Sequence, residues 1–212
     1  MENFSGSGYV LAETILLLAL MYGGIRFTRG FRNDLKKRSV LLAAACAGFA
    51  GLALETSLIL IYQSAHGYVF TRIGLMFASF MFGSACGAVF ARKSAGEEPG
   101  IIASCLALSV LMLLLPLFAW NMQPIVYHLF LLAGGALTGM VFSIVLKLLP
   151  QRAGEIYAAD LFGACAGGAV TGGLLVPVAG FAATCAATAA LCFLGTVPLA
   201  VSLGKRNHGK NV

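Results

Sequence analysis

The chain has 212 residues, of which 59% are hydrophobic and only 10% charged, and its mean hydropathy is +0.91. A soluble domain carries about 25% charged residues, so the composition excludes one and leaves little mass outside a membrane. The net charge of +6 is no nucleic-acid signal, because the basic residues stand in short clusters between apolar runs.

The opening MENFSGSGYV has no basic start and no small-residue cleavage site, so no removable signal peptide is expected. The first apolar run should therefore stay as a helix. A helix needs about 20 apolar residues to cross the hydrocarbon core. On that criterion the sequence predicts an all-α, polytopic membrane bundle of seven helices in a single domain, 1–212. The expected spans are Tyr9–Phe27, Val40–Gln63, Phe70–Ala91, Ile101–Trp120, Ile125–Lys147, Ile156–Val176 and Phe181–Leu203. The longest connection, Thr28 to Ser39, is too short for a folded domain.

Lysine and arginine set the orientation. Arg26, Arg29, Arg32, Lys36, Lys37 and Arg38 flank the first connection, and Arg92 and Lys93 follow the third helix. Lys147 and Arg152 follow the fifth, and Lys205, Arg206 and Lys210 lie in the tail. On a seven-helix path all these fall on one side, and only Arg72 falls on the other. The expectation is an N-terminus outside and a C-terminus in the cytoplasm of a bacterial inner membrane.

Small residues recur at spacing four, as at Gly83 and Gly87, Gly135 and Gly139, Gly163 and Gly167, and Gly168 and Gly172. Such faces let helix backbones approach closely in lipid, so tight packing is their expected role. Pro116 should kink or end the fourth helix and Pro198 should bend the last. Pro124, Pro150 and Pro177 are expected in connections.

Ionisable residues inside apolar segments are costly and so point to function or to a structural pair. The carboxylates there are Glu13, Glu55 and Asp160. Gln63, Arg72 and His128 stand at segment edges. By the orientation above, Glu13, Glu55, Gln63, Arg72 and His128 share the outer half, and Asp160 lies nearer the cytoplasm. Arg72 is the one outer cation that stays charged, so a Glu55–Arg72 pair is the first expectation, as a ligand site or as a structural ion pair. Asp160 follows Tyr157 by about one turn, and a hydrogen bond from Tyr157 or from a neighbouring helix is expected to satisfy it. Glu155 should complement the dipole at a helix start.

His66, in the QSAHGY connection, and His128 are both outer, which makes them the candidates for a haem between helices; His208 belongs to the basic tail. Cys46, Cys86, Cys105, Cys165, Cys185 and Cys192 all lie in apolar runs without a CxxC or Cys/His spacing, so no metal site is expected. They read as small apolar helix residues. No nucleophile motif, phosphate loop or dinucleotide fingerprint is present, so an enzyme is the least supported class.

Two stretches carry a family likeness. GFAGLALETSLILIYQSAHGYVFTRIGLMFASFMFGSACGA resembles a helix pair in the transmembrane region of the bacterial fused major-facilitator/spermidine-synthase-like proteins. Phe80, Met81, Gly83 and Gly87 stand at that family's F-M-x-G-x-x-x-G positions. YAADLFGACAGGAVTGGLLVPVAGF resembles its second signature through Tyr157, Asp160, Gly163, Gly167, Pro177 and Gly180. The likeness runs over roughly residues 41 to 203. It implies a membrane bundle like that family's transmembrane half. The sequence has no room for the family's soluble aminopropyltransferase-like domain, so no transferase activity is implied.

Two functions remain from these residues. The first is binding or transport of a small cationic or amphipathic solute, with Glu55 and Asp160 as acidic determinants. Seven helices are few for a secondary transporter and no inverted repeat is evident, so a second copy or a partner membrane chain would complete it. The second is a non-catalytic anchor subunit of a larger complex, with a quinone near Glu55, Arg72 and His128.

Overall fold

The computed structural model describes residues 35–67, 70–93, 98–118 and 123–208. The chain divides into two compact units, Met1–Leu35 and Lys36–Val212, and the helices below belong to the second. The first expected helix, with Glu13, lies outside the described residues.

Six helices follow in order: α1 (Leu35–His66), α2 (Phe70–Lys93), α3 (Glu98–Phe118), α4 (Pro124–Leu148), α5 (Ala153–Val170) and α6 (Phe181–His208). A 3-10 turn, Pro150–Arg152, leads into α5, and a π-helical segment, Thr171–Ala179, continues it. Each of the six, α5 taken with its extensions, is long and apolar enough to cross a membrane. No strand occurs among the described residues.

Several boundaries differ from expectation. The polar QSAH stretch is not a connection but the last turn of α1, which ends only at Gly67. There φ is +77°, and the Gly67 N–H donates to the Gln63 carbonyl at 2.9 Å. Glycine adopts this left-handed cap without a Cβ penalty, so the backbone rather than polarity sets the end. At its other end α1 begins at Leu35, because Lys36, Lys37 and Arg38 are good helix formers. Pro177 lies inside the helical continuation rather than in a connection. A proline ring clashes with the carbonyl four residues back and supplies no N–H, and widening to π geometry accommodates both. Pro124 opens α4 at its first turn, where a missing N–H costs nothing. Pro116 falls in the last turn of α3.

Contacts at the glycines define the packing. A Cβ on Gly83 or Gly87 of α2 would collide with the backbone of Leu132 or Ala136 on α4. Reciprocally, one on Gly135 or Gly139 would strike the backbone at Phe80 or Ser84. The register rises together on both helices, so α2 and α4 run parallel with backbones in contact. The Ser143 hydroxyl donates to the Ala88 carbonyl at 3.2 Å, and Lys147 Nζ donates to the carbonyls of Ala91 and Arg92. These bonds fasten the same pair at one end.

The second close crossing joins α5 to α1. Gly163 and Gly167 face the backbone at Ala45 and Phe49, and Gly168 and Gly172 continue along Leu52 and Thr56. This pair is parallel too. Helix α1 also meets α4, through Gly134 against Leu54, α2, through Gly51 against the Phe80 ring, and α6, through Gly195 against Cys46. Helix α3 packs on α6 and on α4. The most enclosed span is therefore α1, with 61% of its apolar window buried, against 22% for α2 and 17% for α5.

The alternating path places the start of α1 and the ends of α2 and α4 at one end of the bundle, with the start of α5. Lys37, Arg38, Arg92, Lys147 and Arg152 stand there. Arg72 stands near the start of α2, at the other end.

Candidate functional site

Glu55 sits past the middle of α1 and is only 1% exposed. At about 100° per residue, Gly48, Gly51, Glu55 and Tyr62 form one stripe of α1. Contacts at its other members show what the stripe faces. Gly51 lies against the Thr138 side chain of α4 and the Phe80 ring of α2. Tyr62 meets Tyr127 of α4 edge to face, with ring centroids 5.2 Å apart. Gly48 lies against the backbone carbonyl and carboxylate of Asp160 on α5. Glu55 therefore faces the seam between α4 and α5, a joint packed far more sparsely than that of α2 with α4. The rings of Phe142 and Tyr157, 6.4 Å apart, meet across the same pair of helices.

Neither Glu55 oxygen has a hydrogen-bond partner among the described residues. The expected Glu55–Arg72 pair does not form: Arg72 is exposed and Glu55 is enclosed. The cause is direction as much as distance. Arg72 lies in the first turn of α2, and its long side chain gains hydration by staying outside. Glu55 lies about three turns back from the His66 end of α1, on the stripe that meets the other helices.

An apolar cluster flanks the stripe. Leu54, Leu58, Tyr62, Met76, Phe80, Tyr127 and Leu131 belong to one buried cluster from α1, α2 and α4. At the end of α1, His66 stacks on Tyr62 at 4.7 Å and meets Tyr127 edge-on at 5.9 Å. His66 is thus part of a helix-borne ring cluster, not of a connection. His128 instead shares a 3.0 Å hydrogen bond with Ser79. Gln63 is half-buried, and its carbonyl caps α1.

Asp160 is half-buried against Gly48 and has no hydrogen bond among the described residues. The expected bond from Tyr157 is not made, since Tyr157 is exposed and turned to Phe142. Glu155 pairs with Arg152 at 3.1 Å in the first turn of α5. Cys192 Sγ donates to the Cys105 carbonyl at 3.6 Å, which joins α3 to α6. No group of three or more His, Cys, Asp or Glu suited to a metal ion occurs among the described residues.

Sequence reasoning passes over Tyr62, Tyr127 and Thr138. One signal is available for Tyr62: it follows Glu55 by seven residues and so shares its stripe. Tyr127 and Thr138 join the site only through the α1–α4 crossing, which spacing along one helix does not reveal.

The described residues thus define an all-helical bundle with six potential membrane spans and one enclosed, unpartnered carboxyl group. Comparison with protein families, with characterised proteins and with solved structures returns no match.

Proposed function

We propose that this is a multi-pass protein of the bacterial cytoplasmic membrane that binds a small cationic solute in its bundle and moves it across. The observation that carries the reading is Glu55, both of whose oxygens are buried without a partner. An ionised carboxylate in that position costs far too much free energy to persist alone. The group therefore holds either a proton or a cation, and exchange of one for the other couples solute to proton. The likeness of residues 41–203 to a transmembrane half accords with a bundle that works through a second copy or a partner chain.

The test uses the full chain in proteoliposomes with a pH dye inside. Imposed gradients of Na+, K+, spermidine and alkylammonium ions are applied in turn. At least one should drive proton movement in the wild type, and Glu55→Gln should abolish it. Equal signals in the two proteins, or none in the wild type, would remove Glu55 from the function.

Orientation belongs to the same proposal. A reporter active only in the cytoplasm should work when fused after Val212 and fail when inserted within residues 64–68. The reverse pattern would invert the topology and place Glu55 in the inner half.

A further inference from the structure

The chemistry around Glu55 narrows the cation. An inorganic ion such as Ca2+ or Mg2+ needs about six or more oxygen ligands. Glu55 supplies two, and no group of three or more His, Cys, Asp or Glu stands among the described residues to complete such a shell. The hydroxyl of Thr138, which lies beside Gly51 on the Glu55 stripe, donates to the Gly134 carbonyl at 2.9 Å. Its proton is thereby committed and only lone pairs remain, which suits an incoming N–H donor and not the carboxylate. Aromatic rings also line the stripe: Phe80 beside Gly51, and Tyr62 with Tyr127 farther along. Aromatic faces attract organic cations and pack against apolar bodies.

We propose that the solute is an amphipathic organic ammonium whose nitrogen sits on the Glu55 carboxylate and whose apolar body runs outward along α1 to Tyr62 and Tyr127. This rests on the reading of Glu55 as a cation site. Tyr62 lies seven residues beyond Glu55, about 10 Å at 1.5 Å per residue, and that span sets the length of the body. As the ammonium arrives, the Glu55 carboxyl releases its proton to the outer water, so one positive charge replaces another and the buried site stays neutral. The Thr138 hydroxyl accepts a second N–H, which favours primary over quaternary ammonium.

Octylammonium, whose chain matches that length, is the direct probe. It is titrated calorimetrically into the full chain in lipid nanodiscs, with empty nanodiscs as the partition control and a weak buffer to count protons. The wild type should bind one equivalent and release one proton. Glu55→Gln should weaken binding by about 100-fold or more, the loss expected when a buried charge partner is removed. Tyr62→Leu and Tyr127→Leu should each weaken it by about 10-fold through the lost packing of the rings on the apolar body. Thermal unfolding of each variant checks that the fold is kept. Glu55-dependent binding of Na+, K+ or spermidine with no octylammonium binding would overturn the inference and leave the cation-site reading standing. No Glu55-dependent binding of any of these would overturn both.

Discussion

Leucine in place of Gly87 or Gly163 should prevent the bundle from assembling, and the same change at Gly74 or Gly154 should not. The four glycines share a residue type and differ in what stands where a Cβ would go. At Gly87 that point is occupied by the carbonyl of Ala136, and at Gly163 by the carbonyl of Ala45. At Gly74 and Gly154 nothing lies within 4 Å. A clash with a side chain is relieved by a rotamer change, but a clash with backbone is relieved only by moving a helix. Ordinary overpacking costs about 1–3 kcal/mol, and separation of two helices in contact along several turns exceeds that. Association in lipid has little hydrophobic drive, so close backbone contact is the main source of affinity between such helices. The measurement is the yield of folded protein in mild detergent and its thermal unfolding. Normal values for Gly87→Leu and Gly163→Leu would mean that α2–α4 and α1–α5 do not cross there. Gly74→Leu and Gly154→Leu should unfold close to the wild-type temperature. They guard against a general effect of adding apolar bulk.

The contrast also marks what the sequence discloses. Spans of about 20 apolar residues are legible because lipid imposes a length on a helix. Small-residue spacing is legible because it follows from the helical period. The partners of each glycine face are not, since Gly83-xxx-Gly87 and Gly163-xxx-Gly167 look alike and pack on different helices, α4 and α1. The end of α1 escapes the sequence for a related reason. Polarity at Gln63, Ser64 and His66 signals an interface with water, whereas the helix stops only at a glycine with φ of +77°. The site is half legible. Glu55 stands out as a charge in an apolar run, but its expected partner follows only from a count of charges. Arg72, the only basic residue expected on that side, is exposed, and the groups brought to the Glu55 stripe are Tyr127, Thr138, Phe80 and Asp160.

That change of partner reverses the expected stability of the Glu55 variants. In a buried ion pair, Glu55→Gln would strand Arg72 and cost about 3–5 kcal/mol. Without the pair, Glu55→Gln exchanges one unpartnered polar side chain for another of the same shape, and the stability should stay within about 1 kcal/mol of the wild type. Arg72→Gln should be equally mild, because Arg72 is exposed at a helix end. The double variant should show the sum of the two effects, since residues with no shared partner add. Glu55→Leu goes further. Removing a buried polar group that has no hydrogen bond recovers a desolvation cost of about 1–3 kcal/mol. Leucine also suits the cluster of Leu54, Leu58 and Leu131. For a chain of this size that gain corresponds to a rise of several degrees in Tm, at about 2–4 °C per kcal/mol. Thermal unfolding of wild type, Glu55→Gln, Arg72→Gln, the double variant and Glu55→Leu decides the matter. A large loss in Glu55→Gln that Arg72→Gln restores would reinstate the ion pair. A more stable but inactive Glu55→Leu protein would mean that the carboxyl is kept at the expense of stability, as expected of a group that serves a ligand and not the fold.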